Sequence, residues 1–458
     1  MKQNKITAIS PVMRKLSAYI AAAPRRQLPA AVMERAKHHT LDTIAAMISG
    51  SRLLPGRCAI DYVAQMGGAA EAAVLGSNLV VPAVNAALAN GMLGHSDETD
   101  DAYYLALVHP GCSVVPAALA MAEREHRGGT ALLRAIVLGY DVCARVSIAL
   151  GIENFRSAGH STHSYGGTFG AAVAAGALAN LSAERARHLL SYASQQASGL
   201  SCWARDTEHI EKAFHFGGMP ARNGVTAATM VAGRFTAVED VFSGDRGFFH
   251  AHERYIDPEK LVEGLGRRYD IMNTAIKRWA VGYPIQAPLD ALSNIMAAHA
   301  ITAKDVERVA VTIDEQGAKT VNARKMASIN VQHLMAMMLV DGEITFASSH
   351  DAARVGDPAV LAVKRRIELS GSRELTRART TQAIVEVTTR RGERLRHHTK
   401  AVRGSATNPM AREEIAIKCG DLLAPVLGSR RARQLVDAVW NIERVKDVRA
   451  LRRLLRPA

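Results

Sequence analysis

A mainly α protein with a smaller inserted α+β portion is the fold class this sequence predicts, and three observations predict it. Ala, Leu and Val abound while aromatics make up only 5% of the 458 residues, which suits close helix packing better than a β-sandwich or propeller. Residues 1 to about 270 read as helix after helix, with apolar positions three and four apart. Near residue 300 the apolar period drops to two.

In chain order, Leu16, Ile20 and Ala23 space one apolar helix face. Pro29 precedes a second helix running through Val32, Ala36, Leu41 and Ile48 to Gly50. Thr130 is the expected N-cap of a helix carrying Leu132, Leu133, Ile136, Val137 and Tyr140. Ser182 is expected to cap the next, with Glu184 in its first turn. Small side chains from Gly170 to Leu181 predict a close-packed helix. Val309, Val311 and Ile313 alternate with Ala310 and Thr312 as a strand does. Thr381 to Thr389 and Arg394 to Thr399 flank Arg391-Gly392-Glu393, a hairpin pattern. Met335, Met337 and Met338 read as core, because Met fills gaps. Helical pattern returns after Pro409. The expected domains are a helical part over 1–271, an α+β lid over 272–403, and C-terminal helices over 404–458 that complete the helical domain.

Composition excludes several function classes. Apolar residues reach 48%, so the chain can build a core. No apolar run reaches the roughly 18–20 residues of a membrane span. Lys2 and Lys5 precede a mixed polar segment with no apolar leader core, so no secretory signal is expected. The five scattered cysteines form neither a CxxC pair nor a disulfide framework, which fits a reducing, cytoplasmic setting. The net charge of +14 invites a nucleic-acid reading. Much of the excess lies in the C-terminal third, where Leu435, Val439 and Ile442 recur at helical spacing and the arginines read as a solvated helix face. An anionic small substrate uses the charge equally well. No P-loop, no GxGxxG after a strand and no GxSxG elbow occurs.

Four constellations remain. His95-Ser96-Asp97-Glu98-Thr99-Asp100-Asp101 packs four carboxylates into five residues, followed by His109-Pro110. Mutual repulsion requires some to be paired, protonated or solvated. A charged helix end, an Asp-rich magnesium–diphosphate site and acid/base chemistry on a carboxylic acid are three readings; the EF-hand pattern fails. Gly159 to Gly170 carries His160 and His163 among glycines and hydroxyls, with a helix start able to receive an anion. Lys212 with His215, and Lys277, supply positive charge for a polycarboxylate.

These stretches, in this order, resemble the MmgE/PrpD family, which includes 2-methylcitrate dehydratase, cis-aconitate decarboxylase and iminodisuccinate epimerase. The likeness extends through Leu41-Asp42-Thr43, Ala86 to Gly91, the acidic segment with His109-Pro110, Ala135 to Tyr140, Gly167 to Ala172, Lys212-His215-Gly217, Asp341-Gly342 and Asn408-Pro409-Met410. It implies a helical domain built from both chain ends, an α+β lid, a cleft between them, a homodimer, and neither cofactor nor metal.

The family's acidic segment, His-Ala-Leu-Asp-Phe-Asp-Asp-Thr, aligns with His95 to Ala102. Its carboxylates fall on Glu98, Asp100 and Asp101, and its Thr becomes Ala102. The following His falls on His109, the next on His160 or His163, and the lysines on Lys212 and Lys277. Two positions that hold His in decarboxylase-like members hold Gly282 and Gln286, and the lid Tyr position holds His333. The resemblance therefore implies Lys212, Lys277, His215 and Gln286 as substrate contacts. His109 and His160 or His163 would move protons. Asp100 or Asp101 would orient a partner, Glu98 would stand at a proton-handling position, and His333 would act as an acid. Dehydration of a hydroxy-polycarboxylate is the leading expectation. Decarboxylation or epimerisation comes next, and a non-catalytic carboxylate-binding protein is the reading from another class.

Overall fold

The computed structural model describes residues 9–252 and 256–457; Lys2 and Lys5 lie outside the described residues. Contacts divide the chain into two compact units. The first comprises 1–96, 100–274 and 412–458, and the second 97–99 and 275–411. The architecture is mainly α with a smaller α+β portion.

In the first unit the main helices are α1 (Pro11–Ala22), α2 (Ala30–Gly50), α3 (Leu54–Ala64), α4 (Ala83–Gly94), α5 (Pro110–Arg124) and α6 (Gly129–Ala149). They continue as α7 (Ile152–Ser157), α8 (Thr162–Leu178), α9 (Ala183–Gln196), α10 (Ile210–Ala213) and α11 (Met219–Ala232). Arg412–Leu427 and Ser429–Trp440 complete the unit. A two-stranded ribbon, β1 (Ala72–Ala73) with β2 (Val80–Val81), lies beside them.

Local chemistry sets the helix starts. Ser10 Oγ accepts from Met13 N at 3.2 Å with Pro11 at the first helical position, and Ser182 Oγ accepts from Arg185 N at 3.2 Å. Each such cap stabilises its helix by about 1 kcal/mol. The expected Thr130 cap is corrected: α6 starts at Gly129 with Gly128 as its N-cap. A Cβ on Gly129 would meet the Ile442 carbonyl oxygen at 1.9 Å, so tertiary packing overrides the Thr preference.

The glycine-rich segment runs into α8, which begins at Thr162 and encloses Gly166, Gly167 and Gly170. These glycines serve helix packing. A Cβ on Gly170 would come 2.6 Å from the Gly139 oxygen, so α6 and α8 cross at backbone contact. The alanines that follow, from Ala171 to Ala175, are fully buried and extend the seam.

In the second unit, β3 (Val306–Asp314) pairs parallel with β4 (Ile367–Ser372) and antiparallel with β5 (Ala383–Thr389). β6 (Arg394–Thr399) pairs antiparallel with β5 through the Arg391-Gly392 turn, giving the order β4-β3-β5-β6. Val309, Val311, Ile313, Val385 and Val387 share one buried face. That face joins a core with helices Tyr283–His299 and Val331–Asp341, including Met335 and Met337. Among the described residues, no helix is long and apolar enough to cross a membrane.

Candidate active site

The acidic segment follows the end of α4, where His95 is the C-cap. Its carboxylates divide between the two units. Asp100 is fully buried and engages two imidazoles: His95 Nδ1 at 3.0 Å from Oδ2, and His109 Nδ1 at 3.2 Å from Oδ1. Asp101, also fully buried, accepts from Gly111 N at 2.9 Å and Tyr140 OH at 2.6 Å, and pairs with His39 Nδ1 at 2.6 Å. Gly111 lies in the first turn of α5, so Asp101 places negative charge at a helix N-terminus that favours it. His109 is the N-cap of that helix, followed by Pro110. Asp100 and Asp101 therefore fix His109 twice, once by its ring and once through its helix.

Asp97 and Glu98 belong to the second unit. Asp97 accepts from Thr99 N and Oγ1 and forms a 3.0 Å ion pair with His350 Nε2. Burial works to raise the Asp97 pKa, but His350 and Thr99 together bring it below the ordinary carboxylate value. Burial works to lower the His350 pKa, but Asp97 outweighs it and raises it. Lys277 is buried and donates from Nζ to the Glu98 carbonyl at 2.8 Å, with the Glu98 carboxylate 3.7 Å away.

Around His109 the first unit gathers further rings. His163, on the first turn of α8, stacks on Phe216 at 3.9 Å and lies 5.3 Å from His109. His95 stacks on Phe216 at 4.4 Å and lies 5.1 Å from His209. Lys212 sits beside them, its Nζ 5.2 Å from the Phe216 centroid and 5.4 Å from that of Trp203. Burial lowers the proton affinity of His163 strongly, and His109, His215 and His95 lower it further. Burial also lowers His95 against the pull of Asp100, and brings His215 to about 4 with help from His95. The imidazoles thus arrive neutral near pH 7, able to take up a proton. His209 is held with φ at +64°, a left-handed strain of roughly 1 kcal/mol that fixes its ring beside His95.

The expected residues fall into groups. Asp100, Asp101, His109, His163, Lys212 and His215 gather in the first unit. His160 lies elsewhere in it, with Phe155 at 4.7 Å and His252 at 5.9 Å. Glu98, Lys277, Gln286 and His333 belong to the second unit. The Gln286 amide is committed to the main chain. Its Nε2 donates to Trp279 O and Val281 O, and its Oε1 accepts from Arg278 N and Trp279 N, so it braces the loop after Lys277. His333 is buried on the Val331–Asp341 helix, where burial and the charges of Lys364 and Arg354 lower its pKa to about 4. His39, Tyr140, His209, Phe216 and His350 were not among the expected site residues.

Comparison with known proteins bears on this arrangement. The chain matches the MmgE/PrpD N-terminal domain over residues 14–260 and the MmgE/PrpD C-terminal domain over residues 279–443. It belongs to the MmgE/PrpD family. Among its relatives is a cis-aconitate decarboxylase-like protein of Aspergillus oryzae, 24% identical over 97% of each chain. Another is a cis-aconitate decarboxylase of Aspergillus terreus, 24% identical over 93% of this chain and 92% of its own.

Proposed function

We propose that this protein is a lyase acting on a small hydroxy- or unsaturated polycarboxylate, with His109 as its main proton-transfer group. The observation that carries the reading is the buried Asp100 carboxylate holding the His109 ring by Nδ1, beside His163 and Lys212. A carboxylate on Nδ1 sets the tautomer and leaves Nε2 as the nitrogen that exchanges a proton with substrate. Dehydration of the 2-methylcitrate type is the first form of the reading. A base takes the proton from the carbon next to a carboxylate, the C–OH bond breaks with its electron pair going to oxygen, and water leaves after that oxygen is protonated. Negative charge grows on the remaining carboxylate, where Lys212 can stabilise it by several kcal/mol.

A second form, decarboxylation, is favoured by the names of the Aspergillus relatives. There the C–C electron pair stays on carbon as CO2 leaves, and the same imidazole, entering as its protonated form with the proton drawn from solvent, gives a proton to that carbon and is left neutral. Both forms need one oriented imidazole and one fixed cation. The reading includes no metal or organic cofactor, a homodimer and a cytoplasmic setting, all carried by the family resemblance.

The test is a thermal-shift screen of di- and tricarboxylates with and without EDTA, each hit then incubated and followed by proton NMR. One acid should stabilise the protein and be converted with EDTA present. Released CO2 would mark decarboxylation, and a dehydrated product retaining every carboxylate would mark dehydration. Stabilisation without conversion would favour a binding protein. Full turnover by His109→Ala or Lys212→Ala would overturn the site assignment.

A further inference from the structure

Phe216 lies in a π-turn, Phe214–Gly218, between α10 and α11. Such a turn holds an extra residue in one helical turn and often marks a functional position. Here it is pinned from behind. A Cβ on Gly217 would stand 2.0 Å from the Gly91 carbonyl oxygen, so the turn lies directly on α4. The Cys112 thiol, one turn into α5, donates to the Phe216 carbonyl at 3.5 Å. The backbone around Phe216 is thereby tied to the two helices that carry His95 and His109 at their ends.

The ring itself is only 2% exposed, and both its faces are occupied by imidazoles. His163 covers one within 21° of parallel at 3.9 Å, and His95 stacks within 9° at 4.4 Å. His109 meets it at 63° with centroids 5.3 Å apart, and Trp203 stands perpendicular at 4.7 Å. Ordinary core packing does not call for two parallel imidazoles on one phenyl ring. Imidazole and phenyl planes attract by dispersion, and the phenyl face offers no hydrogen bond, so it withholds water from both rings.

We propose that Phe216 is a positioning residue: it holds the His95 and His163 rings parallel on its two faces and keeps them dry. The claim rests on the proposed function only in giving His109 and its neighbours a catalytic role; the ring placement stands without it. Within the first unit the groups bearing on these two imidazoles include Asp100, His109, His209 and Lys212 for His95, and His109, His215, His95 and Arg156 for His163. Burial is the largest of the effects that lower both, so admitting water is what would restore proton affinity to both rings.

The test is Phe216→Leu in the full chain, which keeps apolar volume and removes the flat faces. Phe169→Leu is the control, because Phe169 is a fully buried phenyl ring packed on Phe242 and Phe248. Histidine Cε1–Hε1 signals of selectively labelled protein are followed from about pH 5 to about pH 8.5, with no substrate present. The His95 and His163 signals should titrate at higher pH in Phe216→Leu than in the parent protein and be unchanged in Phe169→Leu. His95→Gln and His163→Gln assign those signals. Once the substrate is known, Phe216→Leu should lower kcat at least tenfold with little change in KM and move the acid limb of the rate profile to higher pH. Unchanged histidine titrations in a folded Phe216→Leu would overturn the proposal, whatever becomes of the lyase reading. Should Phe216→Leu fail to fold, Phe216→Met gives the same NMR comparison with a more adaptable side chain.

Discussion

The two halves of the acidic segment, three residues apart, use the same side chains for different chemistry. Asp100 and Asp101 lie among rings: His95, His109, His39 and Tyr140. Asp97 pairs with His350, and Glu98 with Lys277. A carboxylate shared between imidazoles can orient rings and support proton transfer. A carboxylate paired with a cation is neutralised and serves to hold a fold or a fixed charge. Position in the sequence does not separate these roles; the unit each residue packs into does.

The sharpest way to break the comparison is Asp100→Asn. It removes the charge that orients two imidazoles while preserving shape, so turnover of the acid found in the screen should fall about 100- to 10,000-fold. Unfolding by urea checks that the protein still folds. His163→Gln should cost about 100-fold in kcat, and His160→Gln, outside the cluster, less than about threefold; parallel kinetics of the two read the difference. Equal losses would remove the distinction between those histidines.

On the other half the expected effect is on stability and depends on pH. The raised His350 pKa contributes stability that is full below 6.5 and is lost as pH rises through the folded value. The lowered Asp97 pKa contributes above 3.8 and is lost as pH falls through the folded value. His350→Gln should therefore cost roughly 2 kcal/mol at about pH 5 and distinctly less at about pH 9, by urea unfolding. The smallest effect belongs to Glu98→Gln. The Lys277 bond to the carbonyl survives it, so stability should change by about 1 kcal/mol or less. A collapse of activity in that variant, with stability kept, would make Glu98 a proton-handling group and join the two halves into one function.

The fold class was legible because its signals are local. Period-2 alternation marks β3, a glycine turn marks the β5–β6 hairpin, and helical spacing marks α1, α2 and α6. The Thr130 cap is not what forms because Gly129 answers to the Ile442 backbone, and no local window of sequence contains that partner. The candidate site divides along the same line. The carboxylates, His109 and Lys212 stand out in local motifs. His39 meets Asp101 across 62 residues of sequence, and Phe216 meets His95 across an even longer span, with nothing local to announce either. Gln286 stood at a family position, yet its four backbone bonds only emerge once the chain has turned back on itself.

The Asp101 hub has one more consequence, for motion rather than geometry. Its three partners come from α2, α5 and α6, so none of these helices can leave without stranding buried polar groups of the other two. The three should open as a single cooperative block. The Gly111 amide, donating to Asp101 beneath His109, should then exchange with solvent deuterium only through opening of that whole block, placing the start of the His109 helix among the slowest-exchanging positions of its unit.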